Sequence, residues 1–244
     1  MVLNDSQTPQ LMPVSRITVI IAATVKIFNE KEVDELIVLD IDASMNNIEP
    51  DYVRIKNLAA ECRMPLCYGG GVKTVAQIER IVSLGVEKVA ISSAALSDFT
   101  LVSRAAEVVG SQSIVVVMDV KKNVRTGNYE LWTHNGTILV NCSPVDFAMK
   151  AQKQGAGEVV INSIDNDGVM KGYDFELVDL IRDTITLPIT ALGGAGSLED
   201  IHELISRYGI IGASAGSLFV FKGKYRAVLI NYPDRTEKDL LVEL

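Results

Sequence analysis

Residues 187–219, LPITALGGAGSLEDIHELISRYGIIGASAGSLF, contain the pattern that decides the fold. A short apolar strand, Pro188–Leu192, runs into a glycine-rich turn, and Ser197 then opens a helix. A second strand, Ile210–Ala215, ends at the Gly-Ser pair of residues 216–217. Glycines directly after a strand allow backbone N–H groups to converge on an anion. Two such turns side by side therefore predict a phosphate site.

The same pattern occurs earlier in the chain, in residues 64–96 (MPLCYGGGVKTVAQIERIVSLGVEKVAISSAAL). At a constant offset of 124 positions, Gly70 matches Gly194 and Ser93 matches Ser217. A repeat of this length indicates a fold made of two similar halves. Because strands and helices alternate along the chain without a linker, we expect an α/β protein with one (β/α)8 TIM barrel and a half-barrel repeat.

The predicted barrel domain comprises residues 1–244, with residues 1–14 as a disordered tail. A polar excursion over residues 121–137 is predicted to form a small hairpin after the fifth strand. The predicted strands before the final pair are Arg16–Ala22, Leu36–Ile41, Leu66–Tyr68, Lys88–Ile91, Ser113–Met118 and Glu158–Ser163.

Composition narrows the class of protein. The net charge of −8 argues against a nucleic-acid-binding protein, because such proteins usually present a basic face. No apolar run approaches the length of a membrane span. The three cysteines, Cys62, Cys67 and Cys142, lack metal or redox spacing, and an odd number suits a reducing compartment. We therefore expect a cytoplasmic protein with no bound metal, no cofactor, and no nucleic-acid or membrane partner.

In such barrels the chemistry lies at the C-terminal ends of the strands. Asp119 follows five apolar residues, and a carboxylate placed there can serve as a general acid or base. The alternative for a strand-end acid is a helix cap or a turn, and Asp165 and Asp167 in the segment IDNDG fit this alternative well. The candidates from position alone are Asp40, Asp42, Ser92, Ser93, Asp119, Lys121, Asn162, Asp165 and Asp167.

Several motifs together resemble one family. They are ELIVLDIDAS at residues 35–44, YGGGV at 68–72, GSQSIVVVMD at 110–119, GAGE at 155–158, SIDNDG at 163–168, KGYD at 171–174 and LGGAG at 192–196. Over roughly residues 15–221 the chain is similar to the cyclase subunit of imidazole glycerol phosphate synthase, the HisF family, a (β/α)8 barrel of histidine biosynthesis. In that family, ammonia from a glutaminase partner passes through the barrel. It then converts a phosphoribulosyl-formimino aminoimidazole carboxamide ribonucleotide into imidazole glycerol phosphate and aminoimidazole carboxamide ribotide.

The resemblance implies roles for individual residues and a heterodimer with a glutaminase. Asp119 matches the family's catalytic aspartate on the fifth strand. An ammonia gate at the opposite end of the barrel would consist of Arg16, Glu35, Lys88 and Glu158. The alternative for these four is ordinary strand-start charges that serve stability. The residues implied in binding the phosphorylated substrate are Gly70, Gly71, Ser92, Ser93, Asn162, Gly193, Gly194, Gly216 and Ser217.

The chain departs from the family at its N-terminal end. The family's second catalytic aspartate ends the first strand, where the alignment places Ala22. Ala22 and Asp119 are 97 positions apart, whereas the repeat-related residues Asp42 and Asp165 are 123 apart, which predicts a shortened first loop. Three functions remain open: an ammonia-dependent cyclase, a non-cyclising paralogue that conducts ammonia to a sugar-amidating enzyme of surface-polysaccharide synthesis, and a related phosphoribosyl isomerase. The isomerase accounts less well for the charged gate.

Overall fold

The computed structural model describes residues 2–4, 24–223 and 225–242. Eight parallel strands lie side by side in chain order and curl into an α/β TIM barrel, which confirms the predicted fold class. In chain order the strands are β1 (Val2–Asn4), β2 (Leu36–Leu39), β3 (Leu66–Gly69), β4 (Lys88–Ile91), β5 (Ile114–Lys122), β6 (Tyr129–Thr133), β7 (Ile138–Leu139), β8 (Glu158–Ser163), β9 (Ile189–Leu192), β10 (Gly212–Ser214), β11 (Phe221–Lys222) and β12 (Ala227–Val228).

Helices cover the outer face of the sheet. None of those in the described residues combines the length and apolar character that crossing a membrane requires. The helices are α1 (residues 24–30), α2 (Ile41–Met45), α3 (Tyr52–Glu61), α4 (Val75–Ser83), α5 (Ser93–Ser97), α6 (Thr100–Val109), α7 (Pro144–Lys153), α8 (Phe175–Arg182), α9 (Leu198–Tyr208), α10 (Ser217–Val220) and α11 (Arg235–Val242).

Local sequence explains where the two repeat-related helices begin. Thr74 caps α4 and Ser197 caps α9, and each forms a capping box with the residue three positions later. Such boxes satisfy the free N–H groups of a first helical turn. At the offset of 124, Lys88 at the start of β4 matches Gly212 at the start of β10. The predicted half-barrel repeat is thus visible in corresponding strands and helix starts.

The core has two layers. The larger one lies between the sheet and the helices and includes Leu66, Met118 and Leu177. The smaller one contains strand residues alone and fills the barrel interior; its members are Ile37, Cys67, Ala90, Val115, Val117, Val160 and Leu192. Because strand side chains alternate between faces, this inner set identifies which other positions of each strand face the barrel axis.

The segment after β5 forms a hairpin, as predicted. β5 continues past Asp119 and pairs antiparallel with β6, which in turn pairs with β7. The turn is closed by the amide of Asn123, which donates to the carbonyl of Asn128 at 2.8 Å. The loop between β6 and β7 consequently lies over the C-terminal mouth of the barrel, where Thr133 and His134 line the central cavity.

The first strand requires a correction. Val2–Asn4 pairs with β2 in parallel register, so these residues do not belong to the disordered tail expected for residues 1–14. The predicted strand Arg16–Ala22 lies outside the described residues. The predicted shortening of the first loop was counted from Ala22, which also lies outside the described residues. Because β1 has only three residues, it lacks the β-branched run on which the sequence prediction of the first strand was based.

Candidate functional site

Strand β8 links the two ends of the barrel. Glu158, Val160 and Asn162 occupy alternate positions and therefore share one face. Val160 belongs to the inner apolar cluster, so this face is the barrel interior. At a rise of about 3.3 Å per residue, the backbone positions of Glu158 and Asn162 lie about 13 Å apart along the strand. The interior thus has a polar group near each end and apolar side chains between them.

At the N-terminal end, Lys88 joins two carboxylates. Its Nζ lies 3.0 Å from Glu35 Oε2 and 2.9 Å from Glu158 Oε2. Burial lowers the pKa of Lys88, but the hydrogen bonds from Glu158 and Glu35 and their charges outweigh this effect, so its pKa lies above the ordinary value. Three of the four residues predicted for the gate are therefore in contact. The fourth, Arg16, lies outside the described residues.

Thr190 also belongs to this end of the barrel and was missed by the sequence analysis. Its Oγ1 donates to Glu158 Oε1 at 2.6 Å. A Cβ at Gly212 would lie 2.0 Å from Thr190 Oγ1, so the absence of a side chain there makes room for the hydroxyl. Thr190 and Leu192 are two positions apart in β9, so both face the barrel interior. This spacing was the feature of the sequence that could have identified Thr190.

Asp119 lies at the other end of the interior, beside Asn162. The Nδ2 of Asn162 donates to Asp119 Oδ1 at 2.8 Å. Burial raises the pKa of Asp119, the hydrogen bond from Asn162 lowers it, and the charge of Asp167 raises it, with a net shift upward. The pKa of Asp167 is also raised by burial, against a backbone hydrogen bond from Gly168. Asp119 is therefore more easily protonated than an exposed carboxylate.

The other acids at the strand ends cap a helix or support a turn, and some of them line the cavity. Asp165 Oδ2 accepts from the backbone amide of Lys122 at 2.9 Å, and Asp40 Oδ1 accepts from that of Ala43 at 3.1 Å. Asp165 thus supports a turn and Asp40 caps α2, while Asp42 lies in the first turn of that helix. Asp40 and Asp167 both line the cavity. The ammonium group of Lys121 lies 5.7 Å from the ring centroid of Trp132.

Two glycines show why the turns after the strands have their composition. Gly70 and Gly194, related by the repeat, have φ angles of 121° and 117°. A Cβ would lie 2.3 Å from the carbonyl oxygen of Asp40 at Gly70 and 2.0 Å from that of Gly172 at Gly194. Only glycine adopts these angles without strain and permits such close approach. The equivalence of the two halves extends to the backbone of these turns.

A cavity of about 840 Å³ opens at the C-terminal mouth. Asp119 and Asn162 line it, and α5 and α10 begin beside it at Ser93 and Ser217. Gly193 and Gly194 are buried and lie outside the lining. The remaining residues predicted for substrate binding, Gly70, Gly71, Ser92 and Gly216, all line the cavity.

The hairpin of β11 and β12 adds a residue that the sequence analysis missed. Arg226 lines the same cavity, and its Nη2 donates to Ser217 Oγ at 3.2 Å. No sequence motif marks this arginine. Within the described residues, no group of three or more His, Cys, Asp or Glu side chains is arranged to hold a metal ion.

Comparisons with known proteins agree with this geometry. The model of the histidine biosynthesis protein family matches residues 15–226. The chain is 54% identical over 220 residues to a Vibrio vulnificus protein provisionally named imidazole glycerol phosphate synthase subunit hisF3, covering 90% of this chain and 85% of that protein. A Pseudomonas aeruginosa protein, provisionally named subunit hisF2, is 50% identical over 216 residues, or 88% and 86% of the two chains. Subunit HisF of Petrotoga mobilis is 35% identical over 219 residues, or 90% and 82%.

Proposed function

The chain belongs to the histidine biosynthesis protein family, and from this premise we propose that it is the ammonia-using barrel subunit of a glutamine amidotransferase. A glutaminase would bind at the N-terminal end of the barrel and release ammonia beside Lys88, Glu35 and Glu158. The ammonia would reach a phosphorylated ligand in the cavity beside Asp119. The proposed reaction is the one named for its relatives, imidazole glycerol phosphate synthesis, in the cytoplasm.

The observation that carries this proposal is the arrangement along the barrel axis. Lys88 holds Glu35 and Glu158 within 3.0 Å at one end, and Asp119 lies on the inner face at the other. The wall between them consists mainly of the apolar cluster that includes Val117 and Val160. Such a wall solvates neutral ammonia better than an ammonium ion, because burial of an unpaired charge is costly. The interior is therefore suited to pass ammonia and to keep it from the solvent.

Asp119 is proposed as the general acid and base of ring closure. Its position at the cavity and its pKa, which burial raises above the ordinary value, support a role in proton transfer to and from nitrogen. Asn162 would orient the carboxyl group through its 2.8 Å hydrogen bond. The two phosphates of the proposed ribonucleotide would occupy the corners at Ser93 and Ser217, one in each half of the barrel.

A second function, conduction of ammonia without cyclisation, is supported by the pattern of similarity. Identity is 50–54% to the Vibrio vulnificus, Leptospira interrogans and Pseudomonas aeruginosa proteins provisionally named hisF3, HisF and hisF2, but 35% to the subunit HisF of Petrotoga mobilis. In addition, the sequence analysis predicts Ala22, a residue outside those that the structure describes, at the position of the family's second catalytic aspartate. In this alternative the barrel retains the ammonia path and delivers ammonia to a sugar-amidating enzyme.

One assay distinguishes the two functions. Purified protein is given the ribonucleotide and an excess of ammonium salt without a glutaminase, so that only chemistry at the Asp119 end is measured. The cyclase proposal expects turnover that Asp119→Asn abolishes. Asp183→Asn, at the exposed end of α8, is the matched control and should retain it. Absence of turnover with retained ribonucleotide binding would reject cyclisation and favour conduction.

A further inference from the structure

Arg226 is held at the cavity by the C-terminal hairpin. Its backbone amide donates to the carbonyl of Gly223 at 3.0 Å, and its φ is 50°. The segment after the hairpin is tied to α10, since the amide of Leu229 donates to the carbonyl of Val220 at 2.9 Å. The amide of Asn231 donates to the carbonyl of Phe219 at 2.8 Å. The position of Arg226 is therefore determined by backbone contacts with the helix that follows β10.

The guanidinium group faces neutral partners. It donates to Ser217 Oγ, and its central carbon lies 4.7 Å from the ring centroid of Phe221. Two arginines line the cavity, and the other, Arg54, pairs with Asp51 at 3.7 Å. Among the described residues no carboxylate forms an ion pair with Arg226. Arg226 thus contributes to the wall of the cavity a positive charge that no described carboxylate pairs with directly.

The surroundings of Ser217 leave space for a ligand. Gly216 precedes it, and a Cβ at Gly168 would lie 3.8 Å from Ser217 Oγ. Small residues on two loops and a guanidinium on a third consequently meet at one corner of the cavity. We call this set, Gly168, Gly216, Ser217 and Arg226, the β10 corner. A guanidinium presents its donors in a plane that matches two oxygens of a phosphate.

The half-barrel repeat does not reproduce this arginine. The corner in the first half is formed by Ser92 and Ser93, which match Gly216 and Ser217 at the offset of 124. At the same offset Arg226 corresponds to Val102, a fully buried residue of α6. The two corners are therefore alike in backbone but different in charge.

We propose that Arg226 is an anion-binding residue that makes the β10 corner the preferred site for a phosphate monoester and so orients a ligand with two phosphates. This inference rests on the proposed function, because it assumes a phosphorylated ligand in the cavity. A site of two similar halves offers two opposite orientations to such a ligand. Unequal affinity of the corners selects one, which brings the same end of the ligand to Asp119 in every complex.

The test uses inorganic phosphate as the probe, with titration in solution and crystals soaked at increasing concentrations. Wild-type crystals should fill the β10 corner before the corner at Ser92 and Ser93. Arg226→Gln should weaken occupancy of the β10 corner roughly tenfold, as for one hydrogen bond to a charged group. Lys222→Gln removes an exposed charge from the same hairpin and should leave both corners unchanged. Arg226→Lys keeps the charge without the planar donors. Its phosphate occupancy at the β10 corner should lie between those of the wild type and Arg226→Gln.

Equal filling of the corners in wild type, or unchanged occupancy in Arg226→Gln, would overturn the assignment. If thermal unfolding shows that Arg226→Gln is unstable, Arg226→Lys provides the same comparison. The outcomes are independent of cyclisation. Loss of phosphate in Arg226→Gln together with no turnover in ammonium would reject the cyclase and retain the role of Arg226. Turnover of the wild type in ammonium, together with unchanged phosphate binding in Arg226→Gln, would support the cyclase and reject the role of Arg226.

Discussion

Lys88 and Glu158 are 70 positions apart in the chain, yet Lys88 Nζ lies 2.9 Å from Glu158 Oε2. The same ammonium group also binds Glu35. One cation thereby connects β4 to both β8 and the residue that precedes β2, across the N-terminal end of the barrel. This contact is the basis of the first prediction.

Lys88→Ala and Glu158→Ala should each uncouple glutamine hydrolysis from amination. Removal of either charge should open the network that would separate the proposed glutaminase from the barrel interior, so that ammonia escapes to solvent. We expect the ratio of glutamine-driven to ammonium-driven turnover to fall roughly tenfold, the effect of one charged hydrogen bond. The measurement is product formation in the reconstituted complex with each nitrogen source. Lys153→Ala, at the exposed end of α7, is the control, and an unchanged ratio in both gate variants would contradict the gate.

Asp119→Asn should stabilise the protein at neutral pH. The pKa of Asp119 is raised in the folded state by burial, so the folded protein binds this proton more tightly than the unfolded chain. Stability therefore falls as pH rises from the unfolded carboxyl pKa through the folded one, and this loss is complete above the folded value. Asparagine does not titrate and avoids the loss. Thermal unfolding of wild type and variant should show a gain at pH 8 that shrinks toward pH 4, and a constant difference would contradict the prediction.

Gly212→Ala should destabilise the barrel and displace Thr190. The new Cβ would lie 2.0 Å from Thr190 Oγ1, which must leave its hydrogen bond to Glu158 or push β10 away. Overpacking of this kind costs about 1–3 kcal/mol in the free energy of unfolding. Chemical denaturation measures the loss, and adding Thr190→Ala should recover only part of it, because the Cβ of residue 190 still lies 2.8 Å from the new Cβ. If the losses in the free energy of unfolding of the two single variants simply add in the double variant, the two residues do not interact.

Gly194→Ala should be far more damaging than Gly127→Ala. Both glycines have positive φ, 117° and 74°, but a Cβ at Gly194 would lie 2.0 Å from the carbonyl oxygen of Gly172. At Gly127 it would meet nothing within 4 Å. We expect a loss of about 1 kcal/mol from the backbone at Gly127 and at least about 2 kcal/mol more at Gly194. Denaturation curves of the two variants test this, and similar losses would contradict the close approach.

Local pattern predicted much of the fold. The strand Lys88–Ile91 was predicted with the bounds that the structure shows, because an apolar run bounded by turn residues needs no distant contact to be recognised. The short helices α2, α5 and α10 were missed, since helices of four or five residues lack a periodic pattern. They form where a loop folds back on the barrel mouth.

The candidate site was predicted in part. Asp119, Ser93 and Ser217 were assigned from position and resemblance, and the structure places all three at one cavity. Thr190 and Arg226 were not assigned, because nothing beside them in the chain distinguishes them from other polar residues. Their partners, Glu158 and Ser217, become visible only after the strands are aligned and the final hairpin has folded back.

The sequence by itself determined the alternation of the main strands and helices after the first strand, the half-barrel repeat and the glycine positions, because these depend on residues close together in the chain. Only the tertiary structure decided which acids face the interior and which cap helices. Asp119 accepts a hydrogen bond from the side chain of Asn162, 43 positions away, whereas Asp165 accepts one from the backbone amide of Lys122. Strand register and barrel curvature set these contacts, and both arise from the packing of the whole sheet against its helices.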